Sequence, residues 1–376
     1  MGNDLTYDES QGEVMSATID AGSVPTSSDA ITPDWLSSVF GRDEPVTISS
    51  VAVEPIGVGI GIMSLLFRLT PTYESGRGPS SLVAKIAPPY EMVRMIAAGY
   101  RFYETEVAIY RNLSPELGLR PPELYYAAHE PASDDFVILM EDLSHLRTDD
   151  QVEGCPIEDA RAVIHHLALH HAHWWQDQRL AEPYIPKFSR PPYPQFNAQA
   201  GSQSWPVVEE RFGHLISDRI RALASRWPEV GPPLLEDIEN HPLTLCHGDM
   251  RLDNIFFHDD DASTVSLVDW AIASAAAGVN DLGYFMSQSL SVADRRTYER
   301  ELTRLYFDTL LEHGVTDYSF DEFWLGYRRS VLFCLCYPLQ AGAVELVNDR
   351  AVDLATIMLD RSMSAILDLD ADLVAL

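Results

Sequence analysis

The chain has 376 residues, enough for two domains or one large two-lobed one, and its 46% hydrophobic and 22% charged content is that of a globular protein. Its 57 acidic residues against 26 Lys and Arg give a formal net charge of −31. Such a surface repels nucleic acid and anionic membranes, which excludes both as expected partners. It would attract a cationic substrate, but acidity is also a general solubility device and does not decide site chemistry.

Residues 1–30 are rich in Gly, Ser, Asp and Thr, lack periodicity and read as a disordered tail; with no apolar stretch they do not read as a signal peptide. Thr32-Pro33 opens a helix, with threonine as N-cap, proline at the first helical position, and Trp35, Leu36, Val39 and Phe40 as the apolar face. Strands are expected over 46–54, 62–70, 80–86, 124–129 and 136–140, with Gly57, Gly59 and Gly61 between the first two and a turn-rich loop over 72–79. One long helix is expected over 90–113, where Tyr103, Val107 and Tyr110 share a face. This order is not a βαβ alternation, so residues 31–143 are expected to form an antiparallel α+β lobe rather than a parallel sheet.

After Leu143 helices dominate, with helical spacing over 156–175, 209–226, 294–312, 320–339 and 350–367; residues 144–376 read as a larger, mainly helical lobe. One β-rich interruption runs over 243–270. The longest charge-free apolar stretch, 330–344, contains Pro338 and is too short to span a bilayer. Cys155, Cys246, Cys334 and Cys336 form no C-x-x-C pair, so they are expected as small buried residues in a reducing cytoplasm.

The chemistry-bearing segment is His247-Gly248-Asp249-Met250-Arg251-Leu252-Asp253-Asn254, set between the apolar runs 243–246 and 255–257. Asp269 ends a further strand, 265–268, and the polar loop 258–264 suggests a hairpin that returns Asp269 to the side of Asn254. Two oxygen ligands side by side suit Mg²⁺, which takes few protein oxygens and fills its shell from phosphate and water. Asp249 stays free to accept a proton.

His-Gly-Asp-x-x-x-x-Asn followed by a strand-terminal Asp resembles the catalytic and metal loops of the aminoglycoside phosphotransferase, choline kinase and ecdysteroid kinase group, which is similar in fold to protein kinases. The stretches 245–249, 254–257, 268–270 and 281–285 are similar to the ecdysteroid-kinase-like and acyl-CoA-dehydrogenase-associated branches. The resemblance implies a two-lobed kinase-like fold and an ATP- and Mg²⁺-dependent transfer of the γ-phosphoryl group to a hydroxyl of a small molecule. It implies Asp249 as catalytic base and Asn254 and Asp269 as metal ligands. It also implies Lys85 on the α- and β-phosphates, Glu106 as the partner of Lys85, and Gly57, Gly59 and Gly61 as the nucleotide-covering loop. The hinge over 138–143, with Met140, Glu141 and Asp142, would meet adenine. Arg251, where protein kinases carry a lysine, is expected to clamp the γ-phosphate. Trp270 stands where protein kinases have phenylalanine, and 12 residues from Asp269 to Asp281 leave no room for an activation segment, which argues against a protein acceptor.

Several of these residues have plainer readings. Glycines often only mark turns. Lys85 could be a surface lysine, but it lies in the apolar run Leu82-Val83-Ala84-Lys85-Ile86, and Lys187 is the chain's one other lysine. Glu104 competes with Glu106, which is favoured because it directly precedes Val107. His165, His166, His170, His171 and His173 could present two imidazoles to zinc, yet no His-Glu-x-x-His accompanies them, and packing is the expected role. His247 reads as a loop brace, and Asp281 as a helix N-cap that also braces the loop. The competing function is a nucleotide-binding pseudokinase without turnover.

Overall fold

A computed structural model of the chain describes residues 24–42, 44–57, 63–188, 190–258, 264–344, 346 and 348–374. Most of the expected tail, together with Gly59 and Gly61, lies outside the described residues. The end of that tail is structured: Ser28–Ala30 make a 3-10 turn, and Val24 and Ile31 pack on the core of the first lobe.

The first lobe is a five-stranded sheet of β1 (Thr47–Ile56), β2 (Leu65–Ser75), β3 (Leu82–Ile86), β4 (Leu124–Glu130) and β5 (Asp135–Glu141), in the order β1-β2-β3-β5-β4. Every pairing is antiparallel, as the element order implies. Helix α1 (Pro33–Phe40), capped by Thr32 Oγ1 accepting from Trp35 N at 3.1 Å, covers one face with Leu36 and Val39. The expected helix over 90–113 is two, α2 (Glu91–Tyr100) and α3 (Phe102–Leu113), broken where Arg101 adopts φ 58°. Central strand β3 is buried along its whole length. Its alternation puts Leu82, Ala84 and Ile86 in the cluster under α1 and Val83 in the cluster with Tyr103, Val107 and Tyr110 of α3. Lys85, on the parity of Val83, is thereby aimed at α3.

Strand β2 runs on through part of the expected loop 72–79. Beyond Leu69 it pairs with β1 alone, so Pro71 sits on a free edge where a missing N–H costs no ladder bond.

The second lobe contains α4 (Ile157–His173), α5 (Tyr193–Gln199), α6 (Trp205–Phe212), α7 (Asp218–Ser225) and α8 (Trp227–Asn240) ahead of the β-rich interruption. That interruption is β6 (Leu243–Cys246), β7 (Ile255–Phe257), β8 (Val265–Leu267) and β9 (Ser274–Ala277). Then follow α9 (Val279–Gln288), α10 (Val292–Glu312), α11 (Phe320–Phe333), α12 (Cys336–Ala343) and α13 (Asp349–Asp368). The expected helix 209–226 is divided between α6 and α7, which Ser217 caps, and 320–339 is divided at Cys334 and Leu335. Helix α8 forms despite Pro232 and Pro233 in its interior, because Trp227, Val230, Leu234, Leu235 and Ile238 bury one face. Burial there overrides local propensity. No described helix is long and apolar enough to cross a membrane.

A buried cation ties the end of the chain to this lobe. Arg361 of α13, 3% exposed, donates to the carbonyls of Gln151 at 2.6 Å, Gln288 at 3.0 Å and Val152 at 2.8 Å. Gln151 in turn accepts from Leu252 N at 2.8 Å, so the support reaches the loop 247–254. Replacing Arg361 by Met should leave these buried carbonyls short of a donor and lower the unfolding free energy by about 3 kcal/mol in urea titration. A loss under about 0.5 kcal/mol would contradict this role.

Candidate active site

Lys85 is the meeting point of the two lobes. Its Nζ lies 2.7 Å from Glu106 Oε1 on α3 and 2.8 Å from Asp269 Oδ1, just beyond β8. Lys85 and Glu106 are 5% and 1% exposed. Burial works against the ammonium, but the charges of Asp269 and Glu106 hold it above the ordinary lysine range. Burial pushes the Glu106 carboxyl up to about 7 against the pull of Lys85, and its second oxygen has no partner among the described residues. Burial opposes the charge of Asp269 too, yet Lys85 keeps that carboxyl below its usual range. Glu104 is elsewhere, in an exposed pair with Arg101.

The loop 247–254 leaves β6, turns through a 3-10 segment (Leu252–Asn254) and enters the β7–β8 hairpin. Val268 N donates to Asn254 O at 3.1 Å, so the hairpin does return Asp269 to the side of Asn254. Asp249 Oδ2 accepts from Asn254 Nδ2 at 3.0 Å, while Oδ1 accepts from Arg251 Nε at 2.9 Å and from the Tyr284 hydroxyl at 3.1 Å. Arg251 also lies 3.6 Å from Asp253.

Three groups hold this loop. Asp281, wholly buried, accepts from His247 N at 2.6 Å and from Gly248 N at 2.8 Å. It is not the N-cap, which is Gly278; it sits inside the first turn of α9, and its bracing role is the one the geometry supports. His247 Nδ1 accepts from Asp249 N at 3.1 Å, so the other nitrogen carries the hydrogen donated to Val268 O at 2.9 Å. Gly248 has φ +88°, and a Cβ there would lie 2.6 Å from Ile272 O, so the loop needs glycine at this point.

Two histidines of α4, His170 and His171, are fully buried and hydrogen-bonded, as packing residues are. Burial lowers His170 to about 3; its Nδ1 accepts from Gly118 N and its Nε2 donates to Leu245 O. His171, Cys246 and Asp281 lie together; Asp281 accepts two N–H groups of the loop, and burial pushes the Cys246 thiol well up. All four cysteines are buried and free.

Between the lobes lies a cleft of about 1030 Å³ of empty space, bordered by Gly57, Lys85, Met140, Leu143, Asn254 and Asp269. Gly57 ends β1 at φ +63°. Glu141 and Asp142 also border the cleft, but the Asp142 carboxylate is engaged inside the lobe, by Arg68 Nε at 2.8 Å and Ser81 Oγ at 2.5 Å. The donors suit a hard divalent cation. Asn254 Nδ2 is taken by Asp249, which leaves the amide oxygen for a ligand, and Lys85 takes one oxygen of Asp269.

Tyr284 and Gln151 carry no expected role, although both contact the loop. Tyr284 was within reach of pattern reasoning, since it follows Asp281 by three residues and so shares its helix face.

The sequence profile of the ecdysteroid kinase-like family matches residues 59–315. A curated relative, acyl-CoA dehydrogenase family member 11 of Pongo abelii, is 29% identical over 82 residues, which is 20% of this chain and 10% of that protein. The chain thus spans about a tenth of that relative's length. Among solved structures, an ethanolamine kinase of Plasmodium vivax superposes with TM-score 0.51 and 11% identity, over 85% of this chain and 81% of that one. The GDP complex of aminoglycoside 2'-phosphotransferase-IIIa gives TM-score 0.51 and 13% identity, over 89% and 99%. At these identities the likeness is one of fold, and it is the kinase-like two-lobed α+β fold expected above.

Asp142 supplies a pH test of the first lobe. Burial opposes its charge, but Ser81, Arg68 and Ser144 N hold its carboxyl down at about 2. A depressed carboxyl stabilises the fold above its unfolded pKa, near 4, and that contribution disappears as pH falls towards 2. Asp142→Asn should therefore cost about 2 kcal/mol at neutral pH and flatten the acid limb of a stability–pH curve between about pH 4 and 2. An unchanged acid limb would refute the assignment.

Proposed function

This chain belongs to the ecdysteroid kinase-like family, and from the arrangement in its cleft we propose that it moves the γ-phosphoryl group of ATP to a hydroxyl of a small molecule, with Mg²⁺ as the accompanying ion. The observation that carries this reading is the convergence on one cleft of Lys85, held by Glu106 and Asp269, with Asn254 hydrogen-bonded to the carboxylate of Asp249.

The acceptor oxygen attacks the γ-phosphorus, the bond to the β-bridging oxygen breaks, ADP leaves and the hydroxyl proton passes to Asp249. Tyr284 and Asn254 hold the Asp249 carboxylate in one orientation while it receives that proton. The Lys85 ammonium binds phosphate oxygens at the floor of the cleft. Asn254 and Asp269 would hold Mg²⁺, which when bound neutralises phosphate charge. Gly57 and its neighbours would cover the nucleotide, and the backbone at Met140, Glu141 and Asp142 would meet the base.

Arg251 borders both the nucleotide cleft and the cavity beside Asp249. The charge of Asp249 holds its guanidinium firmly protonated. It is placed to leave that carboxylate for the transferring phosphoryl oxygens, clamping their charge and freeing the base at once. The same ion pair is what a non-turnover nucleotide sensor would retain, and it gives that second reading its one support. The buried free thiols favour a reducing, cytoplasmic setting.

Asp249→Ala should cut ADP release by about 10²–10⁴-fold while calorimetry shows Mg-ATP affinity within a few-fold of wild type. Arg251→Ala should lower kcat by about 10²-fold, much more than it raises KM for ATP. Wild-type turnover in Asp249→Ala would end the phosphotransfer reading. An unchanged kcat in Arg251→Ala would remove the clamp, and Mg-ATP binding without turnover on any acceptor would select the sensor.

A further inference from the structure

Helix α3 carries Glu106 to Lys85, and three positions earlier, on the neighbouring part of its surface, it carries Tyr103. Tyr103 has no part in the mechanism above, yet it is as deeply seated as its neighbour. It is 2% exposed, and its ring stacks on Phe136 of β5 with centroids 4.2 Å apart and 17° between the planes. Burial pushes its phenol up to about 12, so the hydroxyl keeps its hydrogen at neutral pH. That hydroxyl donates to Met63 O at 2.7 Å, across 40 positions of sequence. A buried tyrosine hydroxyl finds a partner as a rule, so the information lies in which partner it has. Met63 and Ser64 lead directly into β2, whose Leu66 is the register partner of Lys85.

The peptide that joins Met63 to Ser64 is trans. In a trans peptide the C=O and the N–H point in opposite directions. With the Met63 carbonyl turned to Tyr103, the Ser64 N–H is turned away from α3. Ser64 borders the nucleotide cleft, whereas Met63 and Tyr103 border the cavity next to it. The Ser64 N–H makes no backbone hydrogen bond among the described residues, because the pairing of β2 begins one residue later.

Resting on the phosphotransfer reading above, we propose that Tyr103 is a positioning residue for the phosphates of the nucleotide: its hydroxyl fixes the Met63–Ser64 peptide so that the Ser64 N–H serves the cleft as a donor. A peptide free to turn over would present the Met63 carbonyl to the phosphates, exchanging an attraction for a repulsion. A donor held in place beforehand acts on a polyanion without reorganising when it arrives. One face of α3 thus serves the nucleotide at two points: Glu106 sets the Lys85 ammonium, and Tyr103 sets a backbone dipole on the adjoining strand. The competing role is direct contact with an acceptor, since Tyr103 and Asp249 border the same cavity.

Tyr103→Phe removes the hydroxyl and keeps the ring on Phe136. Calorimetry should show Mg-ATP and Mg-ADP binding weakened by about fivefold, the worth of one hydrogen bond, with adenosine binding within about twofold of wild type. In ADP-release assays with water as the acceptor, KM for ATP should rise by about the same factor while kcat stays within about twofold. Adenosine weakened as much as ATP would show a merely structural tyrosine, and a lower kcat with unchanged ATP binding would put the hydroxyl at the reacting groups; either result overturns the proposal. Hydrogen exchange on the wild-type chain guards against a variant that misfolds. Mg-ADP should slow the Ser64 amide by about tenfold or more and adenosine by about twofold or less, and equal protection by both overturns the proposal. A Tyr103-dependent preference for phosphates in a chain that releases no ADP, with water or any alcohol, removes the phosphotransfer reading and leaves this role. ADP release with identical nucleotide binding by wild type and Tyr103→Phe does the reverse.

Discussion

A buried ammonium sets the terms for the rest of this molecule. Removing a charge from water costs several kcal/mol, and the interior offsets that only with well-placed opposite charge. Lys85 receives it from two directions, Glu106 within its own lobe and Asp269 across the cleft. The arrangement works only if β3 is central, so that its alternation aims Lys85 at α3. It requires Val107 and Tyr110 to seat α3 against the sheet, and a hairpin β7–β8 that delivers Asp269 to the same point. Nearly every other cation in this chain is arginine. A planar guanidinium fork would not fit where a compact point charge is shared by two carboxylates in so enclosed a place.

The loop opposite is strained and held by residues that do no chemistry. Gly248 and Asp269 both have φ above +60°, a region that costs a non-glycine residue energy. The compensation comes from rigid elements: Asp281 on α9 receives two loop N–H groups, and Val268, at the end of β8, receives the His247 ring. Trp270 packs edge-on against His247 at 4.8 Å and fills the space beneath. Asp249 thus takes its orientation from neighbours that are themselves immobilised, as its proposed role of base would require.

What could be read in the chain beforehand was what depends on nearby residues. The eight-residue loop, the strand-terminal Asp269 and the lysine in an apolar strand each show a local pattern, and the antiparallel lobe followed from element order alone. Helix α8 was hidden because Pro232 and Pro233 argue locally for a loop, and only burial of its other face reveals a helix. Strand β9 was hidden because Ser274-Ala275-Ala276-Ala277 has no strand preference until β6 lies beside it. Other supports of the loop were hidden for a third reason: the contact of Gln151 with Leu252 spans 101 positions, and that of Arg361 with Gln151 spans 210. No spacing rule reaches that far.

The strong negative charge of the chain takes on a narrower meaning once the site is in view. At physiological ionic strength exposed charges are screened over about 8 Å, so the acidic surface acts on encounter more than on what happens inside the cleft. A protein of net charge −31 that is to hold a polyanion, as the proposed reaction requires, must reverse its own field locally. Lys85 and Arg251 do so at the cleft, where burial strengthens each interaction. The sign at the cleft is thus set by these two residues and not by the surface around it.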